Sequence, residues 1–258
     1  MEHEKTITSH ANPAIKAIKA LNLKKYRDEQ GLFLVEGARH VNEAIQAGWQ
    51  LHTLLFSEKG EESSALITSS AHAVIRTSQD IMSRITGREN AQPVLGVFQQ
   101  RHAPMSDASK GFWVALEDIR DPGNLGTIIR TCDAAGGSGI LLIGNTCDPW
   151  SPEAIRASMG SFARIPVLPI AQNDFLSWRK TYAGRVIGTH LSATTDYRKA
   201  DYKPPCILLM GSEQSGLSDN LSDTCDVLVK IPMRGGAESL NLAIATGIML
   251  YQAVPHDQ

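Results

Sequence analysis

The sequence predicts an α/β protein with mostly parallel sheet covered by helices, divided into two domains. Three observations lead there. Short apolar runs alternate with amphipathic runs along almost the whole chain, which is the pattern of βαβ units. The runs Ile140–Ile143 and Cys206–Met210 are apolar without alternation, as strands buried on both faces are. A polar stretch, "QQRHAPMSDASK" (Gln99–Lys110), interrupts the alternation, which then restarts.

Composition bounds the function. With 258 residues, 42% of them hydrophobic and 20% charged, the chain has the material for a real core, which argues against disorder. No run has the length of a membrane span, and the opening "MEHEKTITSH" has no apolar segment of the kind a secretory signal needs. Four cysteines lack CxxC spacing, and eight histidines form no HxH or HExxH. The expectation is therefore no metal, no membrane, and reduced thiols in a cytoplasmic protein. A net charge of −2 does not announce a nucleic-acid binder. Locally, however, Lys16, Lys19, Lys24, Lys25 and Arg27 follow one another with no acid among them. On charge alone a solvated helix face is the better reading of that run.

Residues 1–100 read as a small α/β domain and 101–110 as a linker. "NPAIKAIKALNL" is a helix with Ile15, Ile18 and Leu21 on one side. Strands at Leu32–Glu36, Leu51–Phe56, Ala73–Thr77 and Val94–Gln99 alternate with helices at Arg39–Ala47 and Asp80–Ile85. In residues 111–258, "FWVALED" is a strand, "NLGTIIRTCDAAG" a helix and "GILLIG" a strand. "SPEAIRASMG" is a helix with Ser151 at its N-cap and Pro152 at its first position. "RIPVLPI", a helix over Asp174–Tyr182, strands at Arg185–Thr189 and Cys206–Met210, a short helix near Asp219–Thr224 and the strand Val227–Ile231 follow. An apolar helix closes the chain.

Ligands of open parallel sheets bind beyond the carboxyl ends of strands, and three strand ends here carry unusual residues. After "LEDIRDPG", Asn124 is placed to cap a helix whose apolar stripe is Leu125, Ile128, Ile129, Cys132 and Ala135, with Gly136 at its end. Gly126 costs that helix up to roughly 1 kcal/mol against alanine, which suggests a close approach to its backbone. Arg130 lies off the stripe. "CILLMGSEQSGLS" runs from a strand into Gly211, Glu213 and Gly216; its glycine spacing excludes both the dinucleotide-binding loop and the nucleophile elbow. "IPMRGGAESLN" breaks a strand at Pro232 and opens the last helix with Ser239, Leu240 and Asn241. Ser239 is the expected cap, while capping explains Asn241 poorly.

Together these stretches resemble the SpoU (TrmH) family of RNA ribose 2′-O-methyltransferases in the knotted SPOUT superfamily. Asn124, Gly126 and Arg130 match the first family motif. Gly211, Glu213, Gly216 and Leu217 match the second. Ile231, Pro232, Met233, Ser239, Leu240 and Asn241 match the third. "SPEAIRASMGSFARIPV" and "NPAIKAIKAL…GLFLVEGARHVNEAI" resemble the segment between motifs and the N-terminal substrate-binding domain of two-domain members, many of which modify ribosomal RNA. One departure is Ala243, where the family often has serine.

The resemblance implies a trefoil-knotted methyltransferase domain over 111–258, behind a smaller RNA-binding α/β domain. It implies S-adenosylmethionine as cofactor, held by Met210, Gly211, Glu213, Gly216, Ile231, Met233, Ser239 and Leu240. It implies a homodimer packed through the last helix, with each active site drawing on both subunits. Catalysis is carried to Arg130, Asn124, Glu213, Asn241 and Ser239, and RNA contact to the basic run together with Arg39 and Arg156. The expected substrate is 23S ribosomal RNA. Transfer RNA is the alternative substrate, and a non-catalytic RNA-binding or ribosome-assembly factor is the alternative reading of the fold.

Overall fold

The structure is a computed structural model and describes residues 4–65, 67–212 and 216–255. In chain order the first elements are β1 (Glu4–Thr6), α1 (Pro13–Ala20), α2 (Lys24–Gln30), β2 (Leu32–Glu36), α3 (Ala38–Gln46), β3 (Leu51–Ser57), α4 (Glu61–Ser64), β4 (Ala73–Thr77), α5 (Gln79–Thr86) and β5 (Val94–Gln99). Then come β6 (Phe112–Glu117), α6 (Pro122–Ala134), β7 (Gly139–Ile143), α7 (Pro152–Ala157), β8 (Val167–Ile170) and α8 (Gln172–Arg179). The chain continues through β9 (Arg185–Thr189), β10 (Thr195–Asp196), β11 (Cys206–Met210), α9 (Asp219–Ser222), β12 (Val227–Lys230) and α10 (Leu242–Ala253).

The chain forms two compact units, Met1–Arg101 with Trp150–Ala163, and His102–Pro149 with Arg164–Gln258. The first unit holds a five-stranded sheet in the order β1-β4-β3-β5-β2. It is mixed, because β5 runs antiparallel to both β3 and β2. Alternation along the strands divides its core in two. Phe33, Val35, Leu54 and Phe56 face one cluster, and Leu34 and Leu55 face another with Ile15, Ile18, Leu21 and Ile85.

Two expectations change here. The N-terminal helix is not continuous: α1 ends at Ala20, and α2 starts at Lys24. The break leaves the Leu21 carbonyl without a helical partner, and the Arg27 guanidinium fills that role, donating through Nη1 at 2.7 Å. Arg27 is 3% exposed; it is a structural residue and not an RNA contact. The division at 101–110 also fails to capture Trp150–Ala163, which packs in the first unit. Trp150, Ile155, Phe162 and Ala163 join the cluster of Phe33, Trp49 and Phe98. The Phe33 and Trp150 rings sit 4.9 Å apart, and Trp49 Nε1 donates to the Ala163 carbonyl at 3.0 Å. Burying these rings together outweighs their distance in sequence.

The second unit holds a seven-stranded sheet in the order β10-β12-β9-β11-β6-β7-β8, and all its pairs are parallel. β6 and β11 are buried at every position, as central strands covered on both faces must be. β7 and β8 lie to one side of β6, while β11, β9 and β12 lie to the other. The carboxyl ends on that second side open a cleft.

Candidate active site

The cleft lies beyond the carboxyl ends of β9, β11 and β12 and has a volume of about 510 Å³, within the range of small-molecule sites. Met210 and Gly211 form its floor at the end of β11, facing Thr189 at the end of β9. Gly216, Ile231 and Met233 line it from the following loops, and Ser239 and Leu240 from the approach to α10. Every described residue carried to the cofactor by motif therefore lines one cleft. Glu213 lies outside the described residues.

Local chemistry explains the shape. Ser212 and Gly216 exchange two backbone hydrogen bonds of 3.0 Å each. Gly216 sits at φ +70, a conformation open to glycine at no steric cost. Gly211 packs against the backbone of Gly216 and Leu217, so that a Cβ there has no room. The loop is tied to β6 by Glu117, 7% exposed, whose Oε2 accepts from the Ser218 amide at 2.8 Å.

α6 and α10 run side by side in the same direction. Gly247 lies against Thr131, and Gly136 against Val254 near both C-termini, while the two N-termini meet. There the caps differ from expectation. α6 starts at Pro122 and is capped by Asp121, whose Oδ1 accepts from the Asn124 amide at 2.6 Å. Proline at the first position moves the cap upstream, which releases the Asn124 side chain. α10 is capped by Asn241 and not Ser239: Asn241 Oδ1 accepts from the Ala243 and Ile244 amides at 2.9 and 3.3 Å. That bonding fixes the orientation of the amide, and its Nδ2 donates to Asn124 Oδ1 at 3.1 Å. The first and third strand-end motifs thus meet in one hydrogen bond. Arg130 is exposed on α6, about 9 Å further along the helix axis, and is not part of the cleft wall.

A family model described as the SpoU rRNA Methylase family matches residues 111–251. The chain belongs to this family. A second model, an MRM3-like substrate binding domain, matches residues 12–96. Over 247 residues the chain is 31% identical to the 23S rRNA (guanosine(2553)-2′-O)-methyltransferase RlmP of Bacillus subtilis, covering 96% of this chain and 98% of that protein. It is 30% identical to a 23S rRNA (uridine(2479)-2′-O)-methyltransferase of Streptomyces viridochromogenes, covering 91% and 86%. The structure resembles an AdoMet-bound rRNA methyltransferase from Sinorhizobium meliloti with a TM-score of 0.91 at 46% identity, over 97% of both chains.

Methyltransferases of the SpoU family use S-adenosylmethionine, and the cleft fits it. Leu240, Leu242 and Ala245 line it with apolar atoms, and Lys230, His190 and Glu238 bring charge and hydrogen-bonding groups to it. Sequence reasoning missed Glu117, Asp121 and the end of β9. Thr189 and His190 carry no local signal; they matter because β9 pairs with β11, a neighbour relation that emerges only with the topology.

The remaining basic positions are scattered over the first unit. Lys16 and Lys19 are exposed on α1. Lys24 pairs with Asp28 at 2.6 Å and Lys25 with Glu29 at 3.9 Å, helical pairs set by acids just beyond the basic run. Arg39 pairs with Glu43 at 2.9 Å, and Arg156 approaches Glu36 at 3.6 Å.

Proposed function

We propose that this RNA methyltransferase transfers a methyl group from S-adenosylmethionine to a ribose 2′-hydroxyl of 23S ribosomal RNA, working as a homodimer in the cytoplasm. The observation that carries the reading is the Asn241–Asn124 hydrogen bond of 3.1 Å, which joins two helix N-termini beside a cleft lined by the other motif residues. The cofactor supplies a methyl group already activated on a sulfonium. The protein's work is to align the hydroxyl and to organise loss of its proton.

The two asparagines hold the ribose edge, where the positive ends of α6 and α10 favour a phosphate or a developing oxyanion. Arg130 grips the phosphate of the target nucleotide in a bidentate manner. A guanidinium stays protonated, with a pKa above about 12, so Arg130 is not the base; the phosphate or a water accepts the proton. Ser239 contacts cofactor or RNA from the cleft wall. Arg130, like Asn124 and Asn241, does not line the cleft; in the proposed dimer it serves the cleft of a second copy.

The surface of α10 supports that arrangement. Ile244 and Tyr251 on it are 56% and 53% exposed, an apolar stripe suited to a second α10. The C-terminal segment is proposed to form the trefoil knot that the family resemblance implies. The substrate reading draws on the 23S-modifying relatives. Incubation with methyl-labelled S-adenosylmethionine and separated RNA fractions tests it. Label entering 23S rRNA is expected; label entering only transfer RNA refutes the substrate.

A further inference from the structure

We infer that the first unit carries a composite RNA-phosphate site built from Arg39, Arg88 and Arg156, assembled on the partly buried carboxylates of Glu36 and Glu43, with Met159 beside it as an apolar contact for a base. This rests on the RNA reading above and specifies where that RNA is gripped.

The three arginines are far apart in sequence and converge at the end of β2. Glu36, with its side chain 9% exposed, stands between Arg88 Nη1 at 3.7 Å and Arg156 Nη1 at 3.6 Å. One helical turn into α3, Glu43 holds Arg39 at 2.9 Å. Glu43 and His40 also pack on Gly160, which pins the turn after α7 and brings Arg156 to the cluster. Arg88 follows Gly87, which ends α5 in a left-handed conformation. All of these residues belong to the first unit.

Two features separate this cluster from an ordinary ion-pair network. The Arg88 and Arg156 contacts with Glu36 exceed hydrogen-bond length, so the carboxylate supplies charge without consuming the guanidinium donors. Glu36 Oε2 and Glu43 Oε2 are buried without hydrogen-bond partners among the described residues. The arginines remain outward: Arg39, Arg88 and Arg156 side chains are 83%, 47% and 38% exposed. A planar fork with open donors matches a phosphodiester. Beside them Met159 is held at φ 50 and is 53% exposed. Backbone strain of this kind persists at ligand clamps, where the surrounding structure holds it in place.

The test is binding of a 23S rRNA transcript across a salt series, with cofactor affinity and melting temperature as controls. Arg88→Ala, Arg156→Ala and Arg39→Ala are each expected to weaken binding and to reduce the slope of log K against log[salt] by about 0.7–0.9. Met159→Gly, which also relieves the backbone, is expected to weaken binding while leaving the slope unchanged. Cofactor affinity stays at wild type throughout. Arginine variants that melt lower but keep the wild-type slope identify a structural network and overturn the site alone. A wild-type protein that binds no ribosomal RNA overturns both the site and the reading beneath it.

Discussion

Asn241 performs two tasks that a pair of substitutions separates. Its Oδ1 caps α10 and its Nδ2 reaches Asn124. Asn241→Ala removes both. Losing the cap costs about 1 kcal/mol, and the exposed side-chain bond adds about 0.5–1 kcal/mol. At roughly 2–4 °C per kcal/mol for a domain of this size, the melting temperature should fall by about 3–8 °C. Asn241→Asp keeps an acceptor for both amides and adds a negative charge at a helix N-terminus, favourable by about 0.3–1 kcal/mol. That gain offsets the lost bond to Asn124, so its stability should stay within about 0.7 kcal/mol of wild type. The aspartate has lost the Nδ2 donor, however, and it sets a carboxylate beside an RNA phosphate. Losing one transition-state contact of about 1.4–2.7 kcal/mol lowers turnover on the order of tenfold to a hundredfold. Thermal melts and single-turnover methylation read the two effects separately. Wild-type turnover in a stable Asn241→Asp protein refutes the role of the asparagine pair, and an unchanged melting temperature in Asn241→Ala refutes the capping argument.

Arg130→Lys keeps the charge but loses the fork, so activity should fall by most of its value while cofactor affinity is retained; near-normal turnover contradicts the phosphate-grip role. Burial pushes the thiols of Cys132, Cys206 and Cys225 from 9.0 up to about 12. Their contribution to stability is complete below pH 9, where folded and unfolded thiols are both protonated. It is lost as the pH rises toward 12, because the unfolded chain then binds fewer protons. Melting temperatures measured over that window should decline, and replacing Cys206 by alanine should make the decline shallower. A fragment of residues 1–101 lacks Trp150, Ile155, Phe162 and Ala163 from its aromatic core, where a single large-to-small change already costs about 3–5 kcal/mol. It should show exposed fluorescence from Trp49 and no cooperative melt. Cooperative unfolding with native near-ultraviolet dichroism contradicts that view.

The elements that carry strong periodicity were legible in the residues. β2, β4, β5, β9 and β11 begin and end where apolar runs meet turn residues, because such runs have few alternatives to burial. Legibility failed where tertiary partners decide. Arg27 reads as one more cation in a basic run, yet a broken helix leaves it a carbonyl to satisfy. Trp150 and Phe162 flank a helix that reads as part of the second domain, yet their rings complete the core of the first. At the site, glycines and asparagines marked the right strand ends, since close approach and polar helix starts need those residue types. The cap of α6 is Asp121, because Pro122 opens the helix ahead of Asn124, and that of α10 is Asn241 in place of Ser239; sequence spacing does not rank these competitors. The meeting of Asn124 with Asn241, across 117 positions, depends on α6 and α10 running parallel.

The most direct test of the central claim is the chemical position of the transferred methyl. Ribosomal RNA from cells lacking the gene is incubated with methyl-labelled S-adenosylmethionine and either wild-type protein or Arg130→Ala, then digested to nucleosides. Label on a ribose 2′-oxygen with wild type, and none with the variant, is the predicted result. Label on a base, or ribose label undiminished in Arg130→Ala, contradicts the account.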